Sequence, residues 1–371
     1  MRAPVLHVIP FLWSGAGAVV TRLCESQARH GPVAIVTSGR RGAESDWPTY
    51  RRRLASAGVT HHTIDVFTRD APRVWAAVTA LETLVRLLRP AVVHAHAGLP
   101  CAAAVSARDI AGVPTRIIGQ MYSWGVGRPS WMNVQDGWAF ARADAVVCSA
   151  HAYGDLLVQH GVPRNRITYL PWGLPLDSLP QRLDPRRALT PETRLTLGFV
   201  GRIEPRKGQL HLVQALAVLR DTFPMARLEL VGPVADEAYA ARLDDAIRDL
   251  GLDEAVRLSG RVRNPARRMS RWDVFVSAST DEGQGLAVLE AMALGVPVVA
   301  RRVAGIDDFL DDGVTGFEVR GGSPRAIARA VVHAARSPVR QRVVTSARRM
   351  VEARYAWDDT VRAFERLYRR G

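Results

Sequence analysis

"LTLGFVGRIEPRKGQLHLVQALAVLRDTF", residues 195–223, decides the fold. Leu195 to Val200 is a short apolar run of the kind buried in a parallel sheet. "GRIEPRKG" is a glycine-bounded turn, and the next segment sets Leu212, Leu216 and Leu219 on one helical face. Strand, glycine turn and helix in that order form a phosphate-binding arrangement, because the first amides of the helix are unpaired. The same order opens the chain. Leu6 to Ile9 leads into "SGAGAVVTRLCESQARHG", residues 14–31.

Working outward, apolar runs alternate with helix-length segments in both halves. The first half has Val5 to Ile9, Val33 to Thr37, Ala91 to His94, Arg116 to Gly119 and Ala145 to Cys148. The second has Leu195 to Val200, Arg227 to Val231, Val256 to Ser259, Val274 to Ser277 and Val298 to Ala300. Runs of this length predict α/β domains with parallel sheets covered on both faces. Between the series, Pro175, Pro180, Pro185 and Pro191 mark an interdomain connection over residues 174–193. The expected division is residues 1–180, residues 181–356, and a final helix over residues 357–371 crossing back to the first domain.

Composition bounds the function. The chain has 371 residues, 47% hydrophobic and 23% charged, which suits two domains with real cores and excludes the disordered class. Its formal net charge is +14, yet of 50 basic residues only Lys207 is a lysine, which points to a coding bias rather than a binding surface. The arginines are scattered and no nucleic-acid motif is present, so nucleic acid is not the expected partner. Cys24, Cys101 and Cys148 are odd in number and far apart, which fits a reducing cytoplasm and no cysteine-based metal site. Residues 1–13 read as a first core strand rather than a signal peptide, since His7 and Pro10 break the apolar run. No run of about 18 apolar residues is present, so any membrane contact is peripheral.

Two constellations carry chemistry. Lys207 lies five residues beyond Arg202 in the loop after a strand, at the carboxyl edge where open α/β sheets bind ligands. A rigid fork beside a compact flexible charge suits a diphosphate; the plain alternative is that a lone lysine has to fall somewhere. In "STDEGQGLAVLEAMALGVPVVA", residues 279–300, Gly283 and Gly285 form a loop before a helix, with Glu282 in the loop and Glu290 about one and a half turns in. Paired carboxylates there accept from sugar hydroxyls, and the helix N-terminus favours phosphate. The alternatives are a solvated loop residue for Glu282 and an arginine-paired helix carboxylate for Glu290. A nicotinamide site is not expected at Gly15 and Gly17, because the third glycine of the dinucleotide fingerprint falls at Val20.

"VGRIEPRKG", the Glu282 and Glu290 pair, and "VAGIDDFLDDGVTGFEV" at residues 303–319 resemble the retaining glycosyltransferases of family 4. So do "VVHAHAG" at 92–98, "RADAVVCSAHA" at 142–152, "GVPRNRITYLPWG" at 161–173, "LELVG" at 228–232 and "YAWDDTVRAFERLY" at 355–368. The resemblance implies the GT-B fold, two Rossmann-like parallel-sheet domains facing a central cleft. The N-terminal domain would bind acceptor, and the C-terminal domain a nucleoside-diphosphate sugar. It gives Arg202 and Lys207 to the donor diphosphate, Glu290 to the ribose, Glu282 to the transferred sugar, and the amides of Gly283, Gln284, Gly285 and Leu286 to sugar or phosphate. His96 matches an active-site histidine, and Gly15 and Gly201 match glycines of the donor loops. Since His94 and His96 share a strand face, at most one is expected to touch ligand.

The activity so implied is transfer of a hexose-type sugar, with retention, to a hydroxyl of a glycan or lipid-linked acceptor in cell-surface polysaccharide or glycolipid synthesis of a bacterium. No cofactor is expected. The aspartates at 307, 308, 311 and 312 lie in a segment the family uses otherwise, so metal independence is the expectation. The sequence departs from the family at Gln284, Trp172, Ala304 and Asp308, and Gln284 bears on donor preference. Tyr122, Trp124, Trp131 and Trp138 in residues 119–138 are candidate sugar-stacking aromatics, or loop packing. Arg40, Arg41 and Arg51 to Arg53, with Trp47 and Tyr50, are a candidate contact with the inner face of the cytoplasmic membrane, or a solvated face. Two other readings stay open. One is a non-catalytic nucleotide-sugar-binding partner subunit. The other is a phosphorylase-type enzyme, which requires Lys207 to carry a Schiff base.

Overall fold

The structure is a computed structural model that describes residues 3–38, 47–68, 70–124, 130–180, 189–192 and 194–369. The chain packs as two compact units, residues 1–172 with 358–371, and residues 173–357.

Among the described residues, unit 1 builds a seven-stranded sheet in the order β3-β2-β1-β4-β5-β6-β7, every pairing parallel. Its strands are β1 (Val5–Val8), β2 (Val33–Thr37), β3 (Thr60–Thr63), β4 (Val92–His96), β5 (Arg116–Met121), β6 (Ala145–Cys148) and β7 (Ile167–Tyr169). The connections are helices α1 (Ser14–Ala28), α2 (Trp47–Ser56), α3 (Ala71–Leu88), α4 (Gly98–Ala111), α5 (Ser130–Arg142) and α6 (His151–Gln159). Strands β2, β4 and β6 are buried along their whole length, as expected where helices cover both faces of a parallel sheet.

Unit 2 repeats the plan with six strands in the order β10-β9-β8-β11-β12-β13, again all parallel. They are β8 (Thr196–Val200), β9 (Arg227–Val231), β10 (Val256–Leu258), β11 (Val274–Ser277), β12 (Val298–Ala300) and β13 (Phe317–Glu318). The helices are α7 (Gln209–Leu219), α8 (Glu237–Asp249), α9 (Pro265–Met269), α10 (Leu286–Ala293), α11 (Pro324–Arg336) and α12 (Arg340–Arg354). Leu212, Leu216 and Leu219 are all buried, so the periodicity of the opening stretch is the packing face of α7. The last helix, α13 (Trp357–Arg369), adds to unit 1, where Phe364 is fully buried between His94 and Trp172.

The proline-rich stretch put the division at residue 180, whereas the compact units divide at 172. The reason is local. Leu174 N donates to Tyr355 O at 2.7 Å and Trp357 N returns a bond to Leu174 O at 3.0 Å, both within unit 2. Strands β3, β7 and β13, absent from the apolar runs, are the outermost members of their sheets, and β3 ("THHT") has no buried residue. An edge strand is not enclosed on both sides and needs no apolar run. No helix among the described residues is long and apolar enough to cross a membrane.

Candidate functional site

In unit 2 the loop after β8 and the loop after β11 lie side by side. The first is anchored from below, with Gly201 N donating to Val231 O at 2.9 Å and Ile203 N to Pro233 O at 2.8 Å. The fully buried Gln209 donates its side-chain amide to Arg202 O at 2.6 Å. A turn of 3-10 helix, Pro205–Lys207, then ends at Gly208, whose φ of 70° is the left-handed conformation glycine tolerates. A Cβ at Gly208 would sit 2.5 Å from Ala278 O, so the close approach of the two loops also requires glycine.

That approach joins charges that are 75 positions apart in sequence. Lys207 Nζ pairs with Glu282 Oε1 at 2.6 Å, and Arg206 Nη1 with Asp281 Oδ2 at 3.3 Å. Arg206 Nε also meets Glu204 Oε1 at 2.7 Å, and Arg202 Nη2 meets the same oxygen at 3.2 Å. Burial moves the Arg202 guanidinium below its ordinary range against the pull of Glu204, yet a guanidinium remains cationic. Three cations thus share a small volume with three carboxylates. Lys207 itself is 8% exposed and paired.

Gly283, Gln284 and Gly285 continue the second loop into α10, whose first residue is Leu286. Gln284 is buried, and Gly285 takes φ of 68° at the helix N-cap. The segment at 305 presses on this loop, since a Cβ on Gly305 would lie 2.2 Å from Glu282 O and 2.6 Å from Gln284 N. Glu290 is half-buried on α10 between the buried Leu289 and Ala291. Of the aspartates at 307, 308, 311 and 312, Asp307 pairs with Arg302, and Asp312 accepts from Glu318 N at 2.9 Å and pairs with Arg320 at 3.1 Å.

In unit 1, β1 and β4 pair in a register that sets His7 beside His94, and His96 follows on the same face. All three are buried. Gln27 Oε1 accepts from His7 Nε2 at 2.8 Å, which leaves His7 Nδ1 to accept from His96 Nε2 at 3.0 Å. His96 Nδ1 then accepts from the Tyr122 hydroxyl at 2.9 Å. His94 Nδ1 bonds the Tyr368 hydroxyl at 2.7 Å, tying α13 to the sheet. Burial lowers the His7 pKa to about 4 and holds those of His94 and His96 well below the ordinary value, so the three rings are neutral near pH 7. Burial likewise raises the Tyr122 and Tyr368 phenols, which stay protonated as donors. The core-facing alternative for the His94 and His96 pair therefore describes both rings. His96 reaches a substrate oxygen through Nδ1 only if Tyr122 lets go.

These histidines are also the group, among the described residues, whose possible metal-ligand atoms all lie within 4.8 Å of one another. No carboxylate belongs to the group. Three neutral imidazoles are a ligand set that zinc accepts, but here both ring nitrogens of His7 and of His96 are engaged in hydrogen bonds with one another, Gln27 and Tyr122. A neutral hydrogen-bonded core accounts for the geometry.

Other expectations in unit 1 meet mixed outcomes. Gly15 is exposed in the first turn of α1, while Gly17 is the glycine that packing requires, since its Cβ would fall 2.6 Å from Leu12 C. Trp124 is not a stacking platform: it is 4% exposed and packs on His160 with ring centres 4.3 Å apart. Trp131 and Trp138 are exposed on α5, with Arg142 over Trp138 at 4.4 Å. Of the basic patch, Arg40 and Arg41 lie outside the described residues, Arg53 is bound bidentately by Glu25, Tyr50 is buried, and Trp47 packs on His61. Arg51 and Arg52 are exposed.

Two family models match, one to each sheet: residues 14–173 match a glycosyl transferase 4-like domain, and residues 194–337 match glycosyl transferases group 1. The chain belongs to the family 4 type of GT-B glycosyltransferases. Relatives of this chain include the D-inositol 3-phosphate glycosyltransferase of Streptomyces avermitilis, 32% identical over 245 residues, covering 62% of this chain and 52% of that one. The enzyme of the same name from Corynebacterium urealyticum is 32% identical over 192 residues, covering 50% and 45%. The chain thus spans about half the length of the curated relatives it matches. Among solved structures, Anabaena HepE in complex with UDP and glucose has a TM-score of 0.83 at 17% identity, covering 99% of both chains. Sucrose-phosphate synthase from Thermosynechococcus elongatus has a TM-score of 0.83 at 20% identity, covering 99% and 98%. At such identities the likeness is one of fold.

Sequence reasoning missed Glu204, Arg206, Asp281, His7 and Gln27. Glu204 and Arg206 stand inside "GRIEPRKG" and Asp281 directly precedes Glu282, so adjacency to the chosen residues was the available signal. For His7 the signal was weaker, a lone polar residue in an otherwise apolar first strand.

Proposed function

We propose that the protein transfers a hexose-type sugar, with retention and without a metal, from a nucleoside-diphosphate sugar to a hydroxyl of a glycan or lipid-linked acceptor. The observation that carries this reading is the 2.6 Å pair of Lys207 and Glu282, with Arg202 in the same loop. As the glycosidic bond breaks, the sugar gains positive charge and the leaving diphosphate gains negative charge. Lys207 and Arg202 stabilise the second, and Glu282 stands against the first, so each interaction strengthens on the way to the transition state. The diphosphate competes with Glu282 for Lys207, which turns that carboxylate toward the sugar only when donor is bound. Glu290 takes ribose hydroxyls, and the amides from Gly283 to Leu286, at the start of α10, meet phosphate or sugar.

HepE, a neighbour in fold, binds UDP and glucose by its description, and this supports starting with uridine donors. The relatives named for inositol 3-phosphate add small phosphorylated polyols to the acceptor screen. The test is a calorimetric titration with UDP, GDP and ADP on the parent and on Lys207→Ala. One nucleotide should bind saturably and lose on the order of 2 kcal/mol in the variant, the scale of a charged hydrogen bond. No binding by the parent, or equal binding by Lys207→Ala, sinks the reading. Chelator should leave transfer unchanged, and the product anomer read by nuclear magnetic resonance should match the donor.

A further inference from the structure

We propose that Arg206 is a positioning residue for the donor site, holding Lys207 and Glu282 in register by bridging Glu204 and Asp281. The inference rests on the nucleoside-diphosphate-sugar reading above. Consecutive residues of one loop, Arg206 and Lys207, pair with consecutive residues of the other, Asp281 and Glu282, at 3.3 and 2.6 Å. The rung at 206 is reinforced by the backbone, since Thr280 N and its hydroxyl both donate to Arg206 O, at 2.8 and 3.3 Å. Arg206 Nε is committed to Glu204 at 2.7 Å. Glu204 in turn holds Arg202 at 3.2 Å, so one guanidinium links both diphosphate cations to the loop that carries Glu282.

The division of labour follows from side-chain chemistry. Lys207 has a flexible stem and sets no geometry by itself, whereas a planar guanidinium binds two carboxylates at once in fixed directions. Arg206 therefore acts through Lys207, Arg202 and Glu282 rather than on the diphosphate. Asp281, 8% exposed, is its partner in that role.

The experiment titrates the parent, Arg206→Gln, Asp281→Asn, the double variant and Arg206→Lys with UDP, GDP and ADP, with thermal unfolding of each as a folding control. For the nucleotide that binds the parent, each single variant should lose about tenfold in affinity. The double variant should lose no more than either single one, because both remove the same rung. Arg206→Lys should recover only a minor part, since an ammonium does not span both carboxylates. A direct phosphate contact gives a different pattern, with Arg206→Gln weak and Asp281→Asn unchanged or tighter, and that result overturns the positioning role. So does parental affinity in Arg206→Lys, or in both single variants. If Lys207→Ala also binds like the parent, or no nucleotide binds the parent at all, the donor-site reading itself has failed and this inference goes with it.

Discussion

In sequence His7 is only a break in the first apolar run, yet its neutral ring connects Gln27 to His96. Its pKa is lowered by burial from 6.5 to about 4, so the unfolded chain binds the proton first as pH falls. Stability from His7 is complete above the unfolded value and is lost as pH drops toward the folded one. Between about pH 7 and about pH 5 the loss from this ring is about 2 kcal/mol, and His94 and His96, shifted the same way, add to it. Urea unfolding followed by tryptophan fluorescence should therefore show a midpoint that falls steadily over that range. A flat midpoint means the rings are hydrated or already charged at neutral pH. Lys207 shows the other side of residue-scale reading. Its rarity singled it out in sequence, but its partner Glu282 is 75 positions away, and no local pattern pairs them.

Most strands enclosed within the sheets were legible, and β10, outermost and with no buried residue, was legible as well. Strands β2, β6, β9, β11 and β12 begin and end where the apolar runs do, while the outermost β3, β7 and β13 have no such signal. The junction of β4 and α4 hides a different feature. Ala97, directly after His96, has φ of 92° and ψ of 169°, a region that a side chain occupies at a cost of about 1–3 kcal/mol. Its N–H donates to Gln120 O at 3.0 Å, which holds the turn in place. Ala97→Gly should relieve that strain and, after the extra entropy of glycine in the unfolded chain, stabilise the protein by about 1 kcal/mol. A thermal unfolding midpoint that rises checks this; a fall means Ala97 makes packing contacts worth more than its backbone strain.

At the scale of the whole molecule, unit 1 is discontinuous in sequence. Residues 1–172 are completed by 358–371, which contribute the fully buried Phe364, the buried Leu367 and the Tyr368 bond to His94. Arg116 donates to Leu367 O, and the Thr360 hydroxyl to Pro171 O at 3.2 Å. Removing two large buried side chains costs about 5 kcal/mol or more, comparable with the full stability of an ordinary domain. A chain ending at Trp357 should therefore keep cooperative hydrogen-exchange protection in β8 to β12 and lose it in β1, β4 and β5. Protection retained in β4 shows that α13 covers the sheet without supporting it.

The sequence by itself determined the alternation of buried strands and helices, the repetition of that plan, the glycine loops and the identity of the charges at 202, 207, 282 and 290. These are local properties, set by periodicity, turn chemistry and composition. Tertiary structure decided which charges meet, that Trp124 is core, that the unit boundary falls at 172, and that His96 lies buried between His7 and Tyr122. Each of these depends on two distant segments being brought within a hydrogen bond of one another, and parallel strand order, which creates such encounters, is not written in either segment alone.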